Sequence, residues 1–262
     1  MKYFLFLIFL INGHYSFSQK SEQSDSVSTI GYSRINKEYF HSLFKDGKEL
    51  TLSPLHCKYT KFLAFGGVCA VTTGLIYYVD MDIKLFFQRN RSNATNNLSV
   101  YGFERMGSGL YTFPLVGLVF GYGYFAKKEK PKEAALLATK SILFNGIIVS
   151  AIKYGFQRKR PQNTNNSLLF FGPFGDGKNH SFASGHTSTA FAIATAFAFE
   201  YQDRPIIPIV AYVLATGVGL SRINDNKHWA SDVFFGAILG HSISHFLYKN
   251  QFKKRKMSIV IE

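Results

Sequence analysis

From residue 61 onward the chain alternates long apolar runs with short polar breaks. The runs cover 62–79, 106–126, 134–152, 187–199, 206–220 and 233–248. All exceed strand length, and they are rich in Ala, Leu, Gly and Phe without any alternation of polar and apolar positions. That pattern predicts helices that are apolar nearly all round. A bilayer-spanning helix needs ~20 apolar residues. The first three runs reach or approach that length, with Lys140 and Asn145 interrupting the third, whereas the last three are shorter and need flanking residues. The pattern therefore admits a membrane-embedded bundle or the buried core of a large soluble helical protein. Small residues in "GVCAVTTG" and "AFAIATAFA" suit close helix packing in either setting.

The segments outside these runs read differently. "MKYFLFLIFLINGHYSFSQK" places one lysine before a short apolar core and a small-residue site, so residues 1–18 have the layout of a secretory signal peptide. An uncleaved anchor is the competing reading. Residues 19–60 begin with polar "SQKSEQSDSVST" and are expected to form a partly disordered or loosely helical lead-in. A helical domain follows over 61–249, and a basic tail over 250–262.

Charge favours the membrane setting. Lys and Arg number 30 against 16 acidic residues, a net charge of +14 over 262 residues. Such a balance fits nucleic acid, a membrane surface or phosphorylated ligands. The long apolar runs and the lack of any nucleic-acid-binding signature exclude the first. "KKEKPK" (127–132) and "KNQFKKRK" (249–256) stand at helix ends, where the positive-inside rule puts cytoplasmic lysines. Cys57 and Cys69 form no CxxC pair, and neither is expected to bind metal or enter a disulfide.

The opposite helix ends carry the candidate chemistry. After the third run, Lys153 and Arg160 stand seven residues apart, two turns on a helix, and Pro161 is expected to stop that helix. Before the fourth run comes "ASGH", with Ser184 as a natural N-cap and Gly185 allowing close backbone approach. The helix starting there favours an anion. After the fifth run come Ser221 and Arg222. His228 and Asp232, four apart at the start of the sixth, are expected on one helical face, where the carboxylate fixes the imidazole tautomer. Helices that alternate direction bring all three clusters to one end of the bundle, opposite the Lys-rich segments. Lys153, Arg160 and Arg222 then form a phosphate cradle, and two histidines supply a nucleophile and an acid.

Lys-x6-Arg-Pro, Ala-Ser-Gly-His and Ser-Arg-x5-His-x3-Asp together resemble the three-part signature of the phosphatidic acid phosphatase type 2 / vanadium haloperoxidase superfamily. The resemblance covers 153–232 and implies an all-α fold, a six-helix bundle of that type embedded in the membrane, with a catalytic core at 134–249. One departure is Ala183, where the family usually has proline. The resemblance implies that His228 attacks phosphorus to form a phosphohistidine, that Asp232 orients it, and that His186 protonates the leaving alkoxide. It further implies that Lys153, Arg160, Ser184, Gly185 and Arg222 hold the phosphoryl oxygens, with no metal and no cofactor. The expected substrate is a phosphorylated lipid such as phosphatidic acid, phosphatidylglycerol phosphate, polyprenyl diphosphate or a lipid A phosphate. The expected place is the cytoplasmic membrane of a bacterial-type cell envelope, with the site facing the periplasm. A soluble secreted acid phosphatase, a vanadate-dependent haloperoxidase and a non-enzymatic membrane scaffold are the alternatives.

Other features read blandly. His241 and His245 have the spacing of a metal pair, but a packed helix interior is the simpler reading. "GPFGDGKNH" (172–180) is a Gly-rich loop without a phosphate-loop pattern, and Trp229 at a helix end reads as an interfacial anchor. Topology adds a constraint. If a cleaved signal leaves Gln19 outside, three spans before Lys153 would put the site in the cytoplasm. Either a run before Lys153 does not span or the N-terminus stays inside; the first is expected, with 62–79 not spanning and the charged helix "DMDIKLFFQRNR" lying at the outer surface.

Overall fold

The computed structural model describes residues 34–53 and 58–259, with side chains as far as Gln251. The signal peptide expected at 1–18, the first part of the lead-in and Cys57 lie outside the described residues. So do residues 260–262 at the end of the expected basic tail. Among the described residues the elements are helices, and no strand forms beyond an isolated bridge between Arg158 and Phe170.

Helices α1 (Lys37–Leu52), α2 (Tyr59–Tyr78) and α3 (Asp80–Arg89) precede a short irregular helical stretch. That stretch comprises α4 (Asn93–Asn97), a π-helical turn (Leu98–Phe103) and α5 (Glu104–Gly107). Then come α6 (Gly109–Phe125), α7 (Glu129–Phe156), α8 (Gly185–Glu200), α9 (Ile206–Asn224) and α10 (Ala230–Ile259). All six apolar runs are therefore helical. Three of the helices, α2, α7 and α9, are long and apolar enough to cross a membrane.

The bundle is organised around α8, which packs against α7, α9 and α10. Its sequence, "GHTSTAFAIATAFAFE", explains that place. Ala192, Ala194, Ala196 and Ala198 are all buried, so neighbours approach from several sides. The closest approach is with α10. A Cβ added at Gly240 would lie 2.0 Å from the Ser188 carbonyl oxygen, and one at Gly236 would lie 2.7 Å from that of Ser184. Glycines one turn apart thus face serines one turn apart, the small-residue packing that lets apolar helices touch backbone to backbone. Polar groups inside the bundle are matched. Asn145 on α7 accepts from Ser188 and donates to Thr189 on α8 at 3.2 Å, and Ser141 meets Ser244 at 3.1 Å.

The lead-in differs from its expected disorder over 37–52. Asn36 caps α1 by accepting from the Tyr39 amide at 2.9 Å, and the helix docks on α7 and α10. Tyr39 donates to the Leu136 carbonyl at 3.1 Å, Asn250 donates to Glu49 at 2.7 Å, and buried Lys140 pairs with Asp46 at 2.9 Å. The charge that interrupts the third apolar run is thus neutralised by the segment expected to be loose. Helix α10 runs on through Ile259, into the expected basic tail.

Helix α2 corrects the expected topology. It packs along α10, with Lys61 in electrostatic reach of His245 near its start. Near its end the Ile76 carbonyl accepts from Ser167 at 2.8 Å, and Asp80 follows it into the site. It is therefore a full member of the bundle, not a helix on the outer surface. Lys130 pairs with Asp203 at 2.6 Å, which puts the α6–α7 and α8–α9 turns together at the opposite end.

Gly240→Ala should push α8 and α10 apart and lower stability by about 1–3 kcal/mol. Gly66→Ala, where an added Cβ meets nothing within 4 Å, should be neutral or slightly stabilising. Thermal unfolding of both variants in detergent checks this; equal midpoints would refute the close contact.

Candidate active site

The α7 helix ends at Phe156, because Gln157 adopts a left-handed conformation at φ 43°. Pro161 therefore does not terminate it, and Arg160 does not lie two helical turns from Lys153. Arg158 to Arg160 instead leave the helix as an extended segment, held by the Lys159 amide donating to the Leu169 carbonyl at 3.0 Å. Lys153 and Arg160 still come within electrostatic reach of each other and of Asp232.

Ser184 occupies the N-cap of α8, but its hydroxyl pairs with Thr187 Oγ1 at 2.9 Å and gives the backbone no side-chain cap. Its own amide donates to the Asp232 carbonyl at 3.1 Å, fastening the start of α8 to the start of α10. At Gly185 an added Cβ would sit 3.7 Å from Lys153 Nζ, so a larger residue would crowd the ammonium. His186 lies in the electrostatic field of Arg222, His228, Glu104 and Lys153. A Cβ at Gly107 would strike the His186 Cβ at 2.8 Å, so α5 reaches this wall of the site by virtue of a glycine.

His228 is 4% exposed and precedes α10, which begins at Ala230. The His228–Asp232 pair therefore meets across a helix start, not along a helical face. Nδ1 of His228 stands 3.6 Å from Asp232 Oδ2, just outside hydrogen-bond reach, and has no other partner. Burial pushes the imidazole pKa down to about 4, against the opposing pull of Asp232.

Asp232 itself is completely enclosed. Its Oδ2 accepts from Ser181 Oγ at 2.5 Å and from the Trp229 amide at 2.9 Å, and its Oδ1 accepts from Arg158. Arg158 was not singled out by the sequence motifs, yet all five of its N–H groups are used. Nη1 donates to Asp232 and to Ser231 Oγ at 2.7 Å. Nη2 donates to Asp80 at 2.7 Å and to the Ser167 carbonyl at 2.8 Å, and Nε donates to that carbonyl at 3.1 Å. Asp80 completes the cluster by accepting from the Ser231 amide at 2.8 Å and its hydroxyl at 2.6 Å. The only sequence signal for Asp80 was a charge set directly against the end of an apolar run. Lys84, one turn on, donates to the carbonyls of Pro161 at 2.6 Å and Thr164 at 2.7 Å, clamping the loop after Arg160.

Arg222 arrives at the end of α9 already paired. Nη1 donates to Glu104 at 2.9 Å and Nη2 to Asp225 at 2.6 Å. Burial opposes ionisation of Glu104, but the Arg222 contact outweighs it and holds the carboxyl below its usual range. Ser221 turns back on the Val218 carbonyl at 2.7 Å.

The remaining sequence features resolve simply. Trp229 is not an interfacial anchor: it is 1% exposed, and its indole donates to the Lys159 carbonyl at 2.9 Å. His241 Nδ1 meets Tyr212 at 3.0 Å and Thr195 at 3.1 Å, while His245 stacks on Phe199 at 4.9 Å, so both belong to helix packing. Among the described residues no group of three or more His, Cys, Asp and Glu is placed to hold a metal. The Gly-rich loop is anchored by the Gly177 amide donating to Gln157 at 2.8 Å.

Comparisons with known proteins agree with this picture. Residues 134–256 match the model of the PAP2 superfamily. The chain is 36% identical over 129 residues to a lipid A 1-phosphatase of Porphyromonas gingivalis, covering 49% of this chain and 26% of that protein. It is 29% identical over 174 residues to lipid phosphate phosphatase 2 of Arabidopsis thaliana, covering 53% and 60%. The chain thus spans less than two thirds of either relative. Two crystal structures share the fold. LpxE of Aquifex aeolicus gives a TM-score of 0.52 at 23% identity, over 66% of this chain and 96% of that one. A transmembrane PAP2-type phosphatidylglycerolphosphate phosphatase of Bacillus subtilis gives 0.50 at 21% identity, over 82% and 95%. Residues 134–256, which match the PAP2 superfamily model, contain every sequence-derived site residue from Lys153 to Asp232.

Proposed function

We propose that this protein is a membrane phosphatase that removes phosphate from a phosphorylated lipid through a phosphohistidine intermediate. The observation that carries this reading is the meeting of Lys153, Arg160, His186 and His228–Asp232 at one end of an apolar bundle. The relatives named lipid A 1-phosphatase and lipid phosphate phosphatase support a lipid substrate, a phosphate monoester or diphosphate.

The chemistry follows from the placement. His228 attacks phosphorus through Nε2 while its Nδ1–H turns to Asp232, closing a contact that stands at 3.6 Å in the free protein. The bond from phosphorus to the lipid oxygen breaks, and His186 gives that oxygen a proton. His186 then takes a proton from water, which attacks phosphorus and releases phosphate from His228. Lys153, Arg160 and the first amides of α8 hold the phosphoryl oxygens as charge builds. Arg222 contributes less net charge than the other cations, because Glu104 and Asp225 already offset it. Its part is to fix the wall of the cradle.

His228→Ala should abolish phosphate release from lipid phosphates while the protein stays folded. Quenching the wild type and labelled substrate in alkaline denaturant should trap a base-stable adduct that is lost on acid treatment; a fully active alanine variant would overturn the assignment. Chelators should not inhibit, and vanadate should.

The neutral imidazole is the nucleophile, and the pKa of His228 is lowered to about 4. Protonation of His228 should therefore cut activity only through about pH 4. His186, which burial also lowers to about 4, must be protonated to act as the acid, so activity should fall as pH rises above that value. A plot of kcat/KM against pH reads both limbs. An acid limb at 6.5 would place His228 in a watery setting.

The site faces the periplasm in this reading, and the Lys-rich turn at 127–132 faces the cytoplasm. Reporters fused after Asp82 and Gln162 should read periplasmic, and those after Ser53 and Lys132 cytoplasmic, which replaces the expectation that a signal peptide leaves Gln19 outside. A periplasmic signal after Ser53 would show that α2 does not cross.

A further inference from the structure

We infer that Asp80 is a positioning residue for the reaction: it holds Arg158 away from full neutralisation of Asp232 and so preserves the negative charge that supports His228. The inference rests on the reading that His228 is the nucleophile. Asp80 lies outside the matched residues 134–256, at the junction of α2 and α3.

The geometry is specific. Asp80, Arg158 and Asp232 have no exposed side-chain surface. One guanidinium lies between two carboxylates, so with both ionised the enclosed group carries a net charge of one minus; burial raises the Asp80 pKa, and Arg158 and Ser231 oppose that rise. Arg158 also faces the rings of Phe170 at 5.0 Å and Trp229 at 5.4 Å, and neither can take up charge by moving a proton. Without Asp80, Arg158 would serve Asp232 alone, and the two charges would cancel beneath the imidazole. With Asp80 present, Asp232 keeps part of its field for the cation that forms on His228 when phosphorus is attacked.

The second hold of Asp80 is mechanical. Its carboxylate accepts from the amide and hydroxyl of Ser231, at the start of the helix that carries Asp232. An acid supplied by another helix thus caps the first turn of α10 and complements its dipole. The charged and titratable groups that bear on His228 are Lys153 of α7, Arg160 of the following segment, His186 of α8 and Asp232 of α10. Those that bear on Asp80 are Arg158 and Asp232. Two cations face His228 from above, and the carboxylate excess below is what balances them.

The test uses the full chain in detergent. The His228 ring titration is followed by NMR of histidine-labelled protein, assigned with His228→Ala, and kcat and KM are measured alongside. Asp80→Asn keeps the shape and removes the charge, at the loss of one accepting oxygen toward Ser231 or Arg158. It should lower the His228 titration midpoint by about one pH unit and kcat by about tenfold, with KM changed less than about twofold. Asp80→Glu should restore part of both. A folded Asp80→Asn protein whose midpoint does not move overturns the inference, even if it is less stable, because a purely mechanical cap would not shift the titration.

If Asp80→Asn does not fold, Arg158→Gln, which strands two carboxylates, is compared with the double variant Asp80→Asn/Arg158→Gln, which strands only Asp232 and keeps a net charge of one minus. The inference expects a raised midpoint in the single variant and a return toward the wild-type value in the double. Identical midpoints in the two overturn it. The ring titration needs no turnover. Wild type that releases no phosphate from any lipid would therefore sink the proposed function and still leave this inference to be decided.

Discussion

Arg158 sits with no exposed side-chain surface between Asp80 and Asp232, and all of its donors are taken. The site depends on this arrangement because it ties together three segments far apart in the chain. Asp80 comes from the junction after α2, Arg158 from the extended segment after α7, and Ser231 and Asp232 from the first turn of α10. Removing one partner of such a buried pair strands the other charge, at about 3–5 kcal/mol. The same arrangement leaves one carboxylate equivalent in excess beneath a histidine that faces two cations. Structural and electrostatic needs are met by one set of bonds.

The depth of the site follows from how closely the helices approach. Gly236 and Gly240 let α10 lie against the backbone of α8 at Ser184 and Ser188. The Ser184 amide then reaches the Asp232 carbonyl. That contact puts the amides at the start of α8 beside the His228 loop. Bulkier residues along this seam would separate the anion-binding helix start from the nucleophile. Small residues here act on the chemistry through distance alone.

Polar residues inside the bundle are placed by pairing as well. Lys140 would be costly in an apolar helix, and it is matched by Asp46 of α1, with Tyr39 beneath it at 5.0 Å. Asn145 spends its amide on Ser188 and Thr189 of α8. In contrast, the large apolar side chains of α2, such as Phe62, Leu63 and Phe65, face outward and find no cover among the described residues. An apolar surrounding is what such a surface requires.

The sequence by itself determined the apolar runs, and with them the helices, because composition and length decide helix formation when every face is buried in something apolar. It also marked which residues to propose for the chemistry. Lys153, Arg160, Ser184, Gly185, His186, Arg222, His228 and Asp232 keep fixed spacings around helix ends, and spacing is what a sequence records. Only the tertiary structure decided how they meet. Arg160 reaches Lys153 because Gln157 turns the chain out of α7, a left-handed residue that no spacing rule anticipates. Arg222 is half-neutralised by Glu104, which lies 118 residues earlier and has no local signature. Asp80 and Arg158 gain their meaning from burial against Asp232, and burial of a charge depends on partners brought from far along the chain. The docking of α1 belongs to the same class, since its own polar sequence stabilises little until Lys140 offers Asp46 a buried partner.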